Sequence, residues 1–238
     1  MQIFLQISAG IFLRNIIFPE IVKFFLRFIK KQSNHKNSFA SDNSHYEKID
    51  GVERCIDDEI PFEIPENWAW CRLGSVADVL GGKRIPAGRK LTTENTGHIY
   101  IRVSDMKEQS VLLDNLMYVP DDIYPMISRY IINKEDVYIT VAGTIGAVGK
   151  IPAALDGSNL TENADRLVFR FLNQDWLILC LSSPYVQNQI AESTTKVGQP
   201  KLAIKRISEI MIAVPPHEEQ KRIVSQFEMF TGILKSMQ

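Results

Sequence analysis

Hydrophobic residues recur at every second position in three segments of this chain. Ile99, Ile101 and Val103 share one side of an extended segment, with Tyr100, Arg102 and Ser104 on the other. Val137, Ile139 and Val141 alternate with Tyr138 and Thr140, and Leu167, Phe169 and Phe171 alternate with Val168 and Arg170. A period of two sends successive side chains to opposite faces of a pleated strand, so these segments predict half-buried β-strands. The run S-E-I-M-I-A-V, residues 208–214, predicts a further strand. It is stopped by Pro215 and Pro216, which lack the N–H that a continuing ladder needs.

Helical spacing takes over elsewhere. In Q-D-W-L-I-L-C-L-S-S-P-Y-V-Q-N-Q-I-A-E-S-T, Trp176, Leu179 and Cys180 share a helical face, and Pro184 predicts a break or kink inside the run. In the last segment Ile223, Phe227, Phe230, Leu234 and Met237 follow one another at steps of 4, 3, 4 and 3, a heptad seam. Glu218 and Glu219 fall in the first turn, where carboxylates favour the positive end of the helix dipole. Gly232 weakens this helix by about 1 kcal/mol, and an isolated helix of two heptads is marginal in water. The seam is therefore expected to pack, either on its own domain or on a helix from a second copy, another subunit or the chain's own N-terminus.

The pattern divides the chain into four parts. Residues 1–31 hold a short apolar run followed by Arg14, Lys23, Arg27, Lys30 and Lys31. This predicts an apolar/basic N-terminal helix, buried or partner-packed, with a membrane-surface helix as the alternative. The apolar stretch is shorter than a membrane span, and its charges follow it rather than precede it as in a signal peptide. Residues 32–58 are polar and rich in Ser and Asn, and predict a linker. Pro61 and Pro65 hold an extended approach to Trp68 and Trp70, so the compact domain is placed at 59–212. Residues 213–238 form the terminal helix and its proline lead-in.

Composition narrows the chemistry. At 238 residues, with 45% hydrophobic and 23% charged positions, the chain can bury a sizeable core. A net charge of −1 means that any polyanion-binding surface must be a local patch. Three scattered cysteines and four histidines suggest neither a disulfide framework nor a zinc site, and fit a reducing, cytoplasmic setting. The segment A-G-T-I-G-A-V-G-K invites a phosphate-loop reading. It fails the Walker pattern, because Thr144 and Ile151 stand where Gly and Ser/Thr are needed. A tight turn between two strands is the expectation instead. S-S-P-Y, residues 182–185, falls short of an amino-methyltransferase motif, and no catalytic constellation, metal site or cofactor is predicted.

Two local basic clusters remain. K-R-I-P-A-G-R-K, residues 83–90, and K-V-G-Q-P-K-L-A-I-K-R, residues 196–206, each carry four positive charges and no acid, and each contains Gly and Pro. Basic loops with Gln, Asn and Ser nearby suit phosphate positioning and base-edge reading, although an ordinary solvated surface gives the same pattern.

Four segments carry a family resemblance: E-I-P-E-N-W-A-W-C-R-L-G-S-V-A-D-V-L-G-G-K-R-I, Y-I-R-V-S-D-M, E-D-V-Y-I-T-V-A-G-T-I-G-A-V-G-K-I and V-G-Q-P-K-L-A-I-K-R-I-S-E-I-M-I-A-V-P-P-H-E-E-Q-K-R-I-V. Together they resemble a target-recognition domain of the specificity subunit of type I restriction–modification enzymes, from about residue 59 to 238. The departures are Glu135, where glycine is common, His217, where leucine is common, a single recognition domain and a short conserved helix. The resemblance implies an α+β fold: a twisted mixed or antiparallel sheet with flanking helices, then a coiled-coil-type helix. It implies a non-catalytic reader of double-stranded DNA, a half or truncated subunit, that directs a methyltransferase subunit and, through the complex, a restriction subunit. The expected DNA contacts are Lys83, Arg84, Arg89, Lys90, Arg102, Lys196, Gln199 and Lys201. The expected partner seam is Ile223, Phe227, Phe230 and Leu234, taken by the methyltransferase subunit or by a second copy in a homodimer. The alternative is a protein-interaction scaffold with a degenerate DNA surface.

Overall fold

The structure is a computed structural model that describes residues 44–49, 52–195 and 200–236. The expected helix within 1–31, the first part of the linker, Lys196, Gln199 and Met237 lie outside the described residues. The chain divides into two compact units, one holding the residues up to Cys71 with Ala213–Pro216, the other holding 72–212 and the residues from His217 onward.

In the first unit, part of the expected linker forms a hairpin, β1 (Tyr46–Ile49) against antiparallel β2 (Val52–Cys55). Asp50-Gly51, the dipeptide between them in sequence, is a strong hairpin signal that composition alone obscures. Arg54 bridges Glu47 and Glu59, and Asp57 accepts from the His45 backbone N–H at 2.7 Å and pairs with the His45 ring at 3.1 Å. These bonds, the backbone one foremost, bring the Asp57 carboxyl down to about 2. β3 (Ala69–Arg72) follows the two prolines.

In the second unit, β4 (Ala77–Gly81) and β5 (Ile99–Ile101) precede a short hairpin of β6 (Met106–Lys107) and β7 (Ser110–Val111). Next come β8 (Met117–Tyr118), β9 (Ile131–Ile132), β10 (Val137–Thr140), β11 (Val148–Lys150), β12 (Ser158–Leu160) and β13 (Ala164–Phe169). Two four-stranded sheets result, with orders β11-β10-β13-β4 and β8-β5-β12-β9. The first is antiparallel throughout. The second is mixed, because β5 and β12 run parallel, Tyr100 opposite Asn159 and Ile101 opposite Leu160. β14 (Met211–Val214) pairs with β3, and its end before Pro215 agrees with the expected stop.

The central strand corrects one expectation. All four residues of β10 are buried, not alternate ones. Tyr138 joins a core with Ile101, Ile132, Leu155 and Leu160, while the opposite face of the sheet is covered by the helix Gln174–Leu181. Alternation shows which side chains share a face; it does not show that the second face is wet. Conversely, Phe171 lies beyond the end of β13 and is 84% exposed.

The helical run breaks at Pro184 as its sequence predicts. Gln174–Leu181 is capped by Asn173, whose side chain accepts from Trp176 N–H at 2.9 Å. Pro184–Ser193 then starts with proline at its first position, where a missing N–H costs nothing, and with Ser183 as cap. The buried residues of the first helix are Trp176, Leu177, Ile178 and Leu181, so Leu179 and Cys180 do not mark its inner face as expected. The turn between β10 and β11 is the tight loop expected, with Gly143 and Gly146 at φ of 78° and 84°. The terminal helix spans His217–Ser236, with Glu218 and Glu219 in its first turn. Buried Gln220 accepts from Asn173 N–H at 2.7 Å and ties that turn to the start of the Gln174–Leu181 helix.

Candidate nucleic-acid interface

The first basic cluster leaves the end of β4, and its path is fixed by backbone. Gly82 N–H donates to Ala164 O at 3.1 Å and Lys83 N–H to Leu160 O at 2.8 Å. A side chain at Gly82 would meet Thr161 O at 2.1 Å and Leu160 O at 2.5 Å, so only glycine lets the two segments cross this closely. The crossing sets Lys83 and Arg84 beside the β12–β13 turn that carries Thr161 and Glu162. Tyr100, projecting from β5, donates its hydroxyl to Lys83 O at 2.9 Å, and burial pushes that hydroxyl up to about 12.

A third segment joins them. Buried Asn159 donates from Nδ2 to Ile127 O at 2.8 Å, and Leu160 N–H donates to Tyr130 O at 2.9 Å. These bonds hold the chain after the Tyr124–Ile127 helix against β12. The Lys83 ammonium lies 5.6 Å from the centroid of the Tyr130 ring and the Arg129 guanidinium 5.0 Å from it. Arg129 also donates to the Tyr130 hydroxyl at 2.9 Å, which, with the two positive charges, lowers that hydroxyl's pKa. Arg84 donates from Nε to Glu162 Oε1 at 2.6 Å. Burial pulls the Glu162 carboxyl upward, but the Arg84 bond, a backbone bond and Thr161 together keep it below the usual carboxylate range. Three cations, one ring and one carboxylate from three loops therefore meet on one surface.

The other expected contacts fall differently. Arg89 sits in the same loop, paired with Asp122, and Lys90 next to it is exposed. Arg102 is committed internally: Nε and Nη2 grip Asp105 at 2.9 and 2.6 Å, and Nη2 also donates to Asn115 O at 3.0 Å. Lys201 exchanges hydrogen bonds with Thr195 and attracts buried Asp165. Asp165 lies opposite Gly81 in register, so Lys201 reaches the same end of β4 and β13 from which Lys83 departs. Among the described residues Asp165 Oδ2 has no hydrogen-bond partner, and burial pushes this carboxyl up to about 6. Arg129, Tyr130 and Glu162 were not foreseen; none belongs to a charge cluster in sequence, and only the strand pairings bring them to Lys83.

Among the described residues no group of three or more His, Cys, Asp or Glu is placed to hold a metal ion, and no helix is long and apolar enough to cross a membrane. A shallow cavity of about 390 Å³ beside Ile190 and Thr194 has no ionisable side chain in its lining. On the terminal helix the four seam residues Ile223, Phe227, Phe230 and Leu234 are half-buried, while Met229 and Ile233 are about half exposed.

One antiparallel and one mixed four-stranded sheet, side helices and a proline-led terminal helix make a fold shared with other solved structures. It is similar to a chain from a structure of complex assembly and conformational transition in the type I R-M system (TM-score 0.58, 21% identity), covering 74% of this chain and 41% of that one. It is also similar to the HsdS subunit from Thermoanaerobacter tengcongensis (TM-score 0.56, 20% identity), covering 74% and 40%. A family model for the type I restriction modification DNA specificity domain matches residues 65–237, and the chain belongs to that family. Its relatives include the Escherichia coli type I restriction enzyme EcoAI specificity subunit, 26% identical over 178 residues, which are 72% of this chain and 30% of that one. The EcoBI specificity subunit, also from Escherichia coli, is 24% identical over 192 residues, 76% and 38% of the two chains. This chain thus spans well under half the length of these relatives.

Proposed function

We propose that the chain is a non-catalytic, cytoplasmic reader of double-stranded DNA within a type I restriction–modification complex. Residues 59–212 act as the recognition domain, and 213–238 as the helix that docks a methyltransferase subunit. Methylation and, through the complex, cleavage belong to the partner subunits. The observation that carries this reading is the convergence of Lys83 and Arg129, from two separate segments, on the Tyr130 ring, beside the Arg84–Glu162 pair. An overall acidic-neutral protein that gathers its cations in this way presents a local electrostatic footprint for phosphates. Family membership and the specificity subunits it resembles support the same assignment. The half-buried seam of the terminal helix supports docking, with a second copy as the rival occupant.

Titration of duplex DNA with the full chain at several salt concentrations tests the proposal. Each lost phosphate contact lowers the slope of log K against log salt by about 0.9, so Lys83→Ala with Arg129→Ala should flatten it by about 1.8. Binding that ignores salt, or a double variant with the parent's slope, would leave the scaffold reading in its place.

A further inference from the structure

Arg84 differs from the other cations of the surface in how it is held. Its side chain is 73% exposed, yet one donor is fixed, with Nε bonded to Glu162 Oε1 at 2.6 Å. Glu162 is itself held. Its side chain is only 23% exposed, and Oε2 accepts from Thr161 Oγ1 at 3.1 Å and faces the Tyr100 hydroxyl at 3.4 Å. Below both, the backbone bonds Gly82 N–H to Ala164 O and Lys83 N–H to Leu160 O fix the strand end that carries Arg84 against the turn that carries Glu162. The guanidinium is anchored from behind, and among the described residues no hydrogen bond engages its two terminal nitrogens, Nη1 and Nη2.

A fork so oriented suits two acceptors side by side, and in duplex DNA guanine O6 and N7 form that pair in the major groove. A phosphate would also accept such a fork. Charge decides between them. Glu162 already neutralises Arg84, so the pair adds little to counterion release, whereas Lys83 and Arg129 supply charge for the backbone. Desolvating an anchored arginine also costs less side-chain entropy than desolvating a loose one. We propose that Arg84 reads a guanine in the recognised sequence and that Glu162 is the positioning residue that aims it. The assignment rests on the DNA-reading function just proposed, and deepens it by separating the residue that reads sequence from those that grip phosphate.

Selection of bound duplexes from a library with a randomised central block, using the full chain, gives the test. The parent protein should enrich a motif with an invariant guanine. Arg84→Ala and Arg84→Lys should each relax that one position, by roughly ten- to hundredfold in preference, and leave the other positions sharp. Arg84→Lys keeps the charge but lacks the fork, and decides the matter should the alanine variant fold poorly. Glu162→Ala should relax the same position, while Glu162→Gln, which retains an oxygen for Nε, should keep most of the preference. A merely structural role for Glu162 would lower stability without altering one column of the motif. An unchanged motif in both Arg84 variants, with affinity reduced alike for every sequence, would make Arg84 a phosphate contact and overturn the proposal. Relaxation in the Arg84 variants but not in Glu162→Ala would overturn the positioning role. A parent protein that enriches no motif would instead remove the DNA-reading function, and this assignment with it.

Discussion

Two arginine–carboxylate pairs in this protein use the same chemistry to opposite ends. Arg102 and Asp105 are three residues apart, and Asp105 is all but buried, with a side chain 5% exposed. Nε and Nη2 of Arg102 bond Asp105, and Nη2 also bonds Asn115 O, so three of its five N–H donors go into closing the Val103–Asp105 turn. Arg84 and Glu162 are 78 residues apart, joined through Nε alone, and the arginine stands 73% exposed. On the proposed reading, what separates a structural arginine from a reading one is the number of donors left unengaged and the rigidity of what holds the remainder.

That contrast can be broken at several points. The largest stability loss should come from Asp105→Ala, which strands a partly buried guanidinium and opens the turn. A cost of about 2–3 kcal/mol is expected in urea unfolding. Glu162→Ala should shift the same midpoint far less, because its partner is solvated, and equal losses would erase the distinction. Gly82→Ala comes next. Its Cβ would meet Thr161 O at 2.1 Å, so the β4 exit must move, at a cost of about 1–3 kcal/mol. DNA selectivity should fall with it, since Arg84 moves away from its anchor.

The smallest effect has the opposite sign and depends on pH. Asp165 titrates at about 6 in the folded state, above its usual value of 3.8, chiefly through burial. Between roughly pH 4 and 6 the folded chain keeps a proton that the unfolded chain has released, so stability falls as pH rises through this window. Asp165→Asn removes that loss. It should raise the melting temperature at pH 7.5, by the equivalent of about 1–2 kcal/mol, and leave it nearly unchanged at pH 4. A variant that melts lower at pH 7.5 would show that attraction to Lys201 outweighs burial.

Much of the scaffold could be read from local pattern. The strands at Val137–Thr140 and Met211–Val214, the break at Pro184 and the start of the terminal helix each follow from residues within a few positions. The cationic surface could be read only in part. Lys83 and Arg84 stood out as a charge cluster, but the partners that give them meaning arrive through the parallel β5–β12 pairing and the Lys83–Leu160 bond. No spacing rule brings residue 84 to residue 162. Arg102 shows the reverse: a positive charge on an alternating segment reads as available, while the structure pairs it with Asp105, three positions on. The second basic cluster stays half-described, with Lys201 placed and Lys196 and Gln199 outside the described residues.

The crossing at Gly82 carries one more consequence. The loop is moored by main-chain N–H groups and by a tyrosine hydroxyl on a carbonyl, none of which depends on what side chain residue 83 or 84 bears. On the proposed reading, a substitution at residue 84 would change which base is favoured, and one at residue 83 the grip on phosphate, without loosening the frame beneath them. If Arg84 reads a base as proposed, a lineage could reach a new target there in a single step, on an intact fold.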